Sequence, residues 1–192
     1  MKKSFGSLAL VFPTPVWVVG TYDKDGRPNA ATVAWGGLCS SEPPSVAISL
    51  RKSRYTYNNI MERQCFTVNV PSGSQADIAD YCGIVSGRNA DKFAAAKITA
   101  VKSDTVDAPY IEEFPMNLEC RVSGIMEVGI HMHIAAEILD VKVDEPALGP
   151  DGLPDITKIN PPVYAPERKD YYGIGSYLGK AFSLGKAIKQ TE

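Results

Sequence analysis

Histidine and cysteine are both scarce, with two His and four Cys among 192 residues. The cysteines, Cys39, Cys65, Cys82 and Cys120, lie far apart and form no C-x-x-C pair, so zinc-ribbon and thioredoxin-type motifs are excluded and reduced, buried thiols are expected. Charge of one sign is lacking too: 20 Lys and Arg face 22 Asp and Glu, a net charge of -2. That balance leaves no broad basic footprint for a nucleic-acid partner. No run approaches the roughly 20 apolar residues a membrane span needs, and the Leu8 to Phe12 stretch is cut short by Pro13 and Pro15. We therefore expect no membrane partner and a cytoplasmic location. Repeats and low-complexity tracts are absent, and the 14 prolines and 16 glycines are dispersed, which predicts a single domain over residues 1–192.

The usual catalytic fingerprints are missing as well. Gly173-Ile174-Gly175 meets Leu178 where the third dinucleotide glycine should fall, and neither Gly179-Lys180 nor Gly185-Lys186 completes a P-loop. No H-E-x-x-H and no G-x-S-x-G occurs. The sequence points towards a borrowed cofactor.

What is present reads mainly as β-structure. Val16 to Tyr22 is rich in β-branched and aromatic residues, and Asp23-Lys24-Asp25-Gly26 supplies a turn, so a hairpin with a return arm from Arg27 to Ala34 follows. Ser45 to Leu50 and Cys65 to Val70 complete four strands before residue 72. Between them Tyr57, Ile60 and Met61 recur at helical spacing, predicting a helix over Thr56 to Arg63. Gln75 to Cys82 and Asn89 to Ala96 read as short helices, the second capped by Asn89. Asn117 to Val128 and His131 to Val143 predict a long antiparallel pair joined at Gly129, with a shift before Val141. Pro146 to Pro166 reads as loop with a turn at Pro150-Asp151-Gly152 and a short Val163-Tyr164 strand, and an aromatic, Gly-rich tail follows. Many short strands with few helices argue for a mainly β Greek-key barrel with peripheral helices.

Two stretches carry chemistry. In Ser49-Leu50-Arg51-Lys52-Ser53-Arg54-Tyr55-Thr56 a strand ends, cations and hydroxyls cluster, and a helix begins. Free amides at a helix start attract an anion, Ser49, Ser53 and Thr56 can donate to its oxygens, and Arg51 or Arg54 can supply charge, so this is a candidate phosphate site. A solvated basic turn with Thr56 as helix cap explains the same residues without a ligand. In Asn29-Ala30-Ala31-Thr32-Val33-Ala34-Trp35 small side chains let a flat ring approach the backbone, while Asn29 and Thr32 offer hydrogen bonds. The alternative is an Ala-rich packed strand with Trp35 in the core. Cys39 lies four residues on and can reach the same ring or stand as a buried thiol. His131 and His133 share one strand face, but with no third ligand at an obvious spacing no metal site is expected.

In order along the chain, Pro13-Thr14-Pro15-Val16, Asp25 to Ala30, Pro43-Pro44, Ser49 to Ile60, Asn69-Val70-Pro71, Asp91-Lys92-Phe93, Leu118-Glu119-Cys120, Gly129 to His131 and Tyr171 to Gly185 resemble the flavin reductase-like family of FMN-binding split barrels. Within it the likeness is strongest to FMN electron-transfer proteins. The resemblance implies a homodimeric split barrel with FMN near the subunit interface, its phosphate at the Ser49 to Thr56 turn and its ring along Asn29 to Trp35. It also implies that Lys92 assists the phosphate, that Cys39 and His131 lie near the ring as candidate catalytic groups, and that Tyr171 or Tyr172 closes the pocket. Electron donor and acceptor proteins or NAD(P)H are the partners it implies. Reductases of the family commonly carry Gly-Asp-His where this chain has Gly129-Ile130-His131, which tilts the reading from NAD(P)H-dependent flavin or ferric reductase towards a bound-FMN electron carrier.

Overall fold

Period-two runs of β-branched residues set the frame. In the computed structural model, which describes residues 1–191, the chain begins with β1 (Thr14–Pro15), β2 (Trp17–Tyr22), β3 (Pro28–Val33), β4 (Gly36–Ser41) and β5 (Pro44–Leu50). Helix α1 (Tyr55–Arg63), β6 (Cys65–Val70), α2 (Ala76–Ile84), α3 (Lys92–Ala96), β7 (Ala100–Lys102) and β8 (Pro109–Ile111) follow. The long pair β9 (Met116–Val128) and β10 (His131–Val143), then α4 (Ile156–Ile159), β11 (Val163–Ala165) and β12 (Asp170–Tyr172), complete the order.

Seven strands form one antiparallel sheet in the order β3-β2-β6-β9-β10-β5-β4. The sheet does not close by hydrogen bonds between its edge strands β3 and β4, so the barrel is split. Along β2 successive side chains take opposite faces, and both faces are covered. Val19 joins Ile48, Phe66, Val68 and Ile134 in one core, whereas Val18 packs with Ala79, Phe93, Ile111 and Phe114 in a second. Burial of such side chains contributes roughly 1.5–3 kcal/mol each.

The β2–β3 hairpin turns as expected: Gly26 takes φ 77°, and Asp23 Oδ1 accepts from the Asp25 and Arg27 amides at 2.9 Å each. Gly129, at φ 56°, joins β9 to β10, whose register slips between Ala135 and Ala136 and again between Ile138 and Asp140, where the shift before Val141 was expected.

Several expectations need correction. Six strands, not four, precede residue 72, because Thr14–Pro15 and Gly36–Ser41 also pair. The third helix starts at Lys92 and is capped by Asp91, whose carboxylate accepts from the Ala94 amide, so Asn89 lies outside it. The 146–166 stretch contains α4, capped by Asp155.

Candidate functional site

The turn after β5 exposes the start of α1. Arg54 is the N-cap residue and makes no side-chain cap; the Tyr57 amide donates to its carbonyl at 3.1 Å, and the positive end of the helix is left to the Tyr55 and Thr56 amides. Thr56 is not the cap. Its Oγ1 accepts from Asn29 Nδ2 at 3.0 Å, and the same amide reaches Thr21 Oγ1 at 3.3 Å, to which Asn59 Nδ2 donates at 3.1 Å. This buried network ties α1 to the β2–β3 hairpin.

Strand β3 holds the opposite wall. Thr32 Oγ1 donates to the Ala79 carbonyl of α2. Lys92, only 3% exposed, reaches from α3 to donate to the Ala30 carbonyl at 2.6 Å and the Cys82 carbonyl at 2.7 Å. Burial, with Arg54 acting in the same direction and Cys82 against it, pulls the Lys92 ammonium down to about 8, and burial pushes the Cys82 thiol up to about 11.

Between these walls lie two clefts that share Thr32, Leu50, Arg51, Arg54 and Gly83. The first, about 280 Å³, is lined by Asn29, Ala31, Ser53, Thr56 and Lys92 on one side and by Cys82 to Gly87 opposite. The second, about 480 Å³, is wider and lined by Val33, Ala34, Trp35, Ser49 and His131 with Asp80, Ile84, Tyr164, Lys169 and Tyr171. The Trp35 and His131 rings stack at 6.3 Å and 8°. Across from them Tyr164 and Tyr171 pack at 5.4 Å, and the Tyr171 hydroxyl donates to Asp80 Oδ1 at 2.9 Å. Burial first, then Asp80, raises the Tyr171 phenol, which stays a donor. Ser49 Oγ pairs with His133 Nδ1 at 3.0 Å behind this wall.

Fourteen of the seventeen sequence-predicted residues thus surround the two clefts: Asn29, Ala31, Thr32, Val33, Ala34, Trp35, Ser49, Leu50, Arg51, Ser53, Thr56, Lys92, His131 and Tyr171. Three do not. Ala30 is buried beneath the floor and contributes its carbonyl to Lys92. Tyr172, 52% exposed, alternates to the other side of β12 and borders a separate groove with Phe12 and Arg168. Cys39 is exposed rather than buried and lines a groove with His133 on the far side of Trp35. Trp35 itself is 44% exposed, which removes the packed-core alternative.

The sequence reading missed the second wall. Arg54 had been an alternative to Arg51, yet it lines both clefts, and Asp80, Tyr164 and the Cys82 to Gly87 segment were not singled out. Two glycines marked that segment: a Cβ on Gly83 would meet Thr32 Cβ at 3.3 Å, and one on Gly87 would collide with Asn29 Oδ1.

Charge and unsatisfied polarity describe what fits. Arg51 and Arg54 form no ion pair among the described residues. Asn29 Oδ1, on the wall of the first cleft, is buried without a donor in the protein. A phosphate at the α1 end, hydroxyls near Asn29 and a flat ring between Trp35 and Tyr171 satisfy these features together, as FMN would.

A family model described as Flavin reductase like domain matches residues 8–171. The chain is 51% identical to flavoredoxin of Desulfovibrio vulgaris (Miyazaki F), covering 96% of this chain and 100% of that one, with a TM-score of 0.93. A chain with a split barrel domain from Shewanella frigidimarina is 22% identical, covers 90% and is covered 87%, and shares the fold at a TM-score of 0.80. A curated relative, the NADH:riboflavin 5'-phosphate oxidoreductase of Streptomyces pristinaespiralis, is 24% identical over 148 residues, 77% of this chain and 81% of that one.

Proposed function

The chain belongs to the flavin reductase-like family, as its motifs led us to expect, and we propose that it is an FMN-binding redox protein that passes electrons through the flavin to a protein or small-molecule acceptor. The observation that carries this reading is the pair of joined clefts, one built for a phosphate and the other for a flat ring. FMN, when bound, supplies one- and two-electron chemistry that no side chain here can.

The protein contributes binding and environment. Arg51, Arg54, Ser53 and the free amides of α1 offset the phosphate charge. Lys92 holds the Ala30 and Cys82 carbonyls, fixing the cleft floor against α2, and lends positive potential from below. The Trp35–His131 and Tyr164–Tyr171 pairs wall the ring space against water, and His131 offers a ring nitrogen as a hydrogen-bonding group beside it. Cys39, outside the ring cleft, drops to a peripheral place in this scheme.

Residues 1–192 form one domain in this reading, working as a homodimer in the cytoplasm. No described helix is long and apolar enough to cross a membrane. The second reading, an NAD(P)H-dependent flavin or ferric reductase, is favoured by the Streptomyces relative.

A visible spectrum of fresh protein with mass identification of released cofactor, followed by anaerobic addition of NADH and NADPH, separates the cases. Bound FMN bleached only by a chemical or protein donor is the expected result. Rapid bleaching by either nucleotide would establish the reductase, and a protein that neither holds nor takes up FMN would overturn both.

A further inference from the structure

Two cations at the shared end of the clefts suffice for a phosphate, yet the ring cleft carries another. Lys169, from the β11–β12 connection, lines the ring cleft and not the phosphate cleft. It sits in the tip between β11 and β12 with φ 58°, a left-handed conformation uncommon for a side-chain-bearing residue, held by its amide donating to the Ala165 carbonyl at 2.8 Å. That twist separates two adjacent cations. Arg168 borders the other groove and pairs with Asp170 at 3.1 Å, whereas Lys169 borders the ring cleft and forms no ion pair among the described residues. Asp80 is the one acidic group lining this cleft, and its carboxylate already accepts from Tyr171.

From this placement we infer that Lys169 sets the charge preference of the molecule that exchanges electrons at the ring, and that this molecule is a small anion bearing a carboxylate, phosphate or similar oxyanion. The inference rests on the flavin reading of the clefts. A ring held within this concave cleft is reached more readily by a small molecule than by a protein face, and an ammonium on the cleft wall that forms no ion pair among the described residues raises the local concentration of anions.

The first test needs no flavin. In flavin-free protein, Trp35 fluorescence is quenched by iodide, caesium or acrylamide, with Trp35→Phe giving the Trp17 background. Lys169→Gln is expected to lower iodide quenching about twofold at low salt, raise caesium quenching and leave acrylamide unchanged. The second uses reduced holoprotein, in which two hexacyanoferrate(III) ions take the two electrons of one reduced FMN and become hexacyanoferrate(II), protons passing to buffer. Lys169→Glu is expected to slow this about fivefold at low salt, with benzoquinone reduction unchanged. Lys24→Gln and Lys24→Glu, in the exposed β2–β3 turn, control for net charge in the first and second tests respectively.

Equal effects of Lys169 and Lys24, or equal slowing of the neutral quinone, would overturn the inference. So would Lys169→Glu slowing an acidic redox protein while leaving hexacyanoferrate untouched, which would make the rim a protein-docking surface. Protein that carries no FMN would sink the flavin reading while the quenching result still stands by itself.

Discussion

Arg51 and Arg54 are exposed and unpaired among the described residues, so their value lies in what they bind rather than in the fold. Losing two charge-assisted contacts costs about 3 kcal/mol of binding, which is roughly a 100-fold rise in the FMN dissociation constant. An Arg51→Ala/Arg54→Ala double variant should show that weakening by fluorescence titration while its denaturation midpoint stays near wild type; unchanged affinity would displace the phosphate from this turn. Lys92 behaves differently because it is buried. Its ammonium is drawn down to about 8 from 10.5, so between those values the unfolded chain holds more protons and stability rises with pH, the full cost of burying the charge being present below 8. A bound phosphate beneath which Lys92 sits pushes that value back up, so FMN binding at pH 8 should take up a fraction of a proton. Calorimetry in two buffers of different ionisation enthalpy measures it, and Lys92→Met should abolish it. Identical uptake in the variant would mean that another group takes the proton.

Elements were legible in proportion to how much their residues repeat a physical pattern. The β2, β5, β6, β9 and β10 segments carry β-branched alternation, and the sequence placed each within a residue or two. Gly-Gly-Leu-Cys-Ser-Ser of β4 has almost no strand propensity and forms only because the edge of β5 offers a ladder, so it was missed. Likewise the phosphate turn was readable, since cations and hydroxyls crowd one strand-to-helix junction, whereas the α2 wall presents backbone, small side chains and glycine, which announce no chemistry. The β9–β10 pair also carries a feature invisible in sequence. Asp104, Glu119 and Asp140 converge on Lys142 Nζ at 2.8, 3.2 and 2.6 Å, and Glu119 is fully buried. Burial alone would raise the Glu119 carboxyl, but the Thr105 hydroxyl and amide, the Asp104 amide and Lys142 outweigh it and hold it below its ordinary value. Its contribution to stability is therefore complete above the unfolded value of 4.5 and is lost as pH falls through the lower folded one. Lys142→Met, which leaves a buried carboxylate without its cation, should cost about 3 kcal/mol by urea denaturation at pH 7. A loss within 0.5 kcal/mol, roughly the range of an ordinary surface substitution, would show that the hydrogen bonds alone carry Glu119.

At the scale of the whole molecule, apolar surface is left uncovered in a way one chain cannot relieve. Gly37, Ala135 and Gly124, with Ala47 buried among them, stand side by side across β4, β10, β9 and β5, a flat row of small residues on the sheet face opposite Ile48 and Ile134. Met126 and Val128 continue that face at 59% and 53% exposure, and Phe5, Val11, Phe12, Tyr177, Leu178 and Phe182 are exposed at the two ends of the chain. Surface of this kind on a charge-balanced protein favours a second copy, for which about 800 Å² per partner is the usual requirement. Trp35 lines both the ring cleft and the groove on this face, and His131 of the ring cleft pairs with Val128, so a dimer formed here would complete the cleft mouth. A Cβ at Gly37 or Gly124 meets no atom within 4 Å, so an arginine there burdens the single chain little and clashes only with a neighbour. Light scattering of the wild type should give twice the 20.8 kDa of one chain, and Gly37→Arg or Gly124→Arg should return it to one chain with an unchanged circular dichroism spectrum and weakened flavin binding. A monomeric wild type would end the dimer proposal. Variants that remain dimeric would move the interface to the exposed chain ends, and a monomer that binds FMN as tightly as the dimer would make each cleft complete within its own chain.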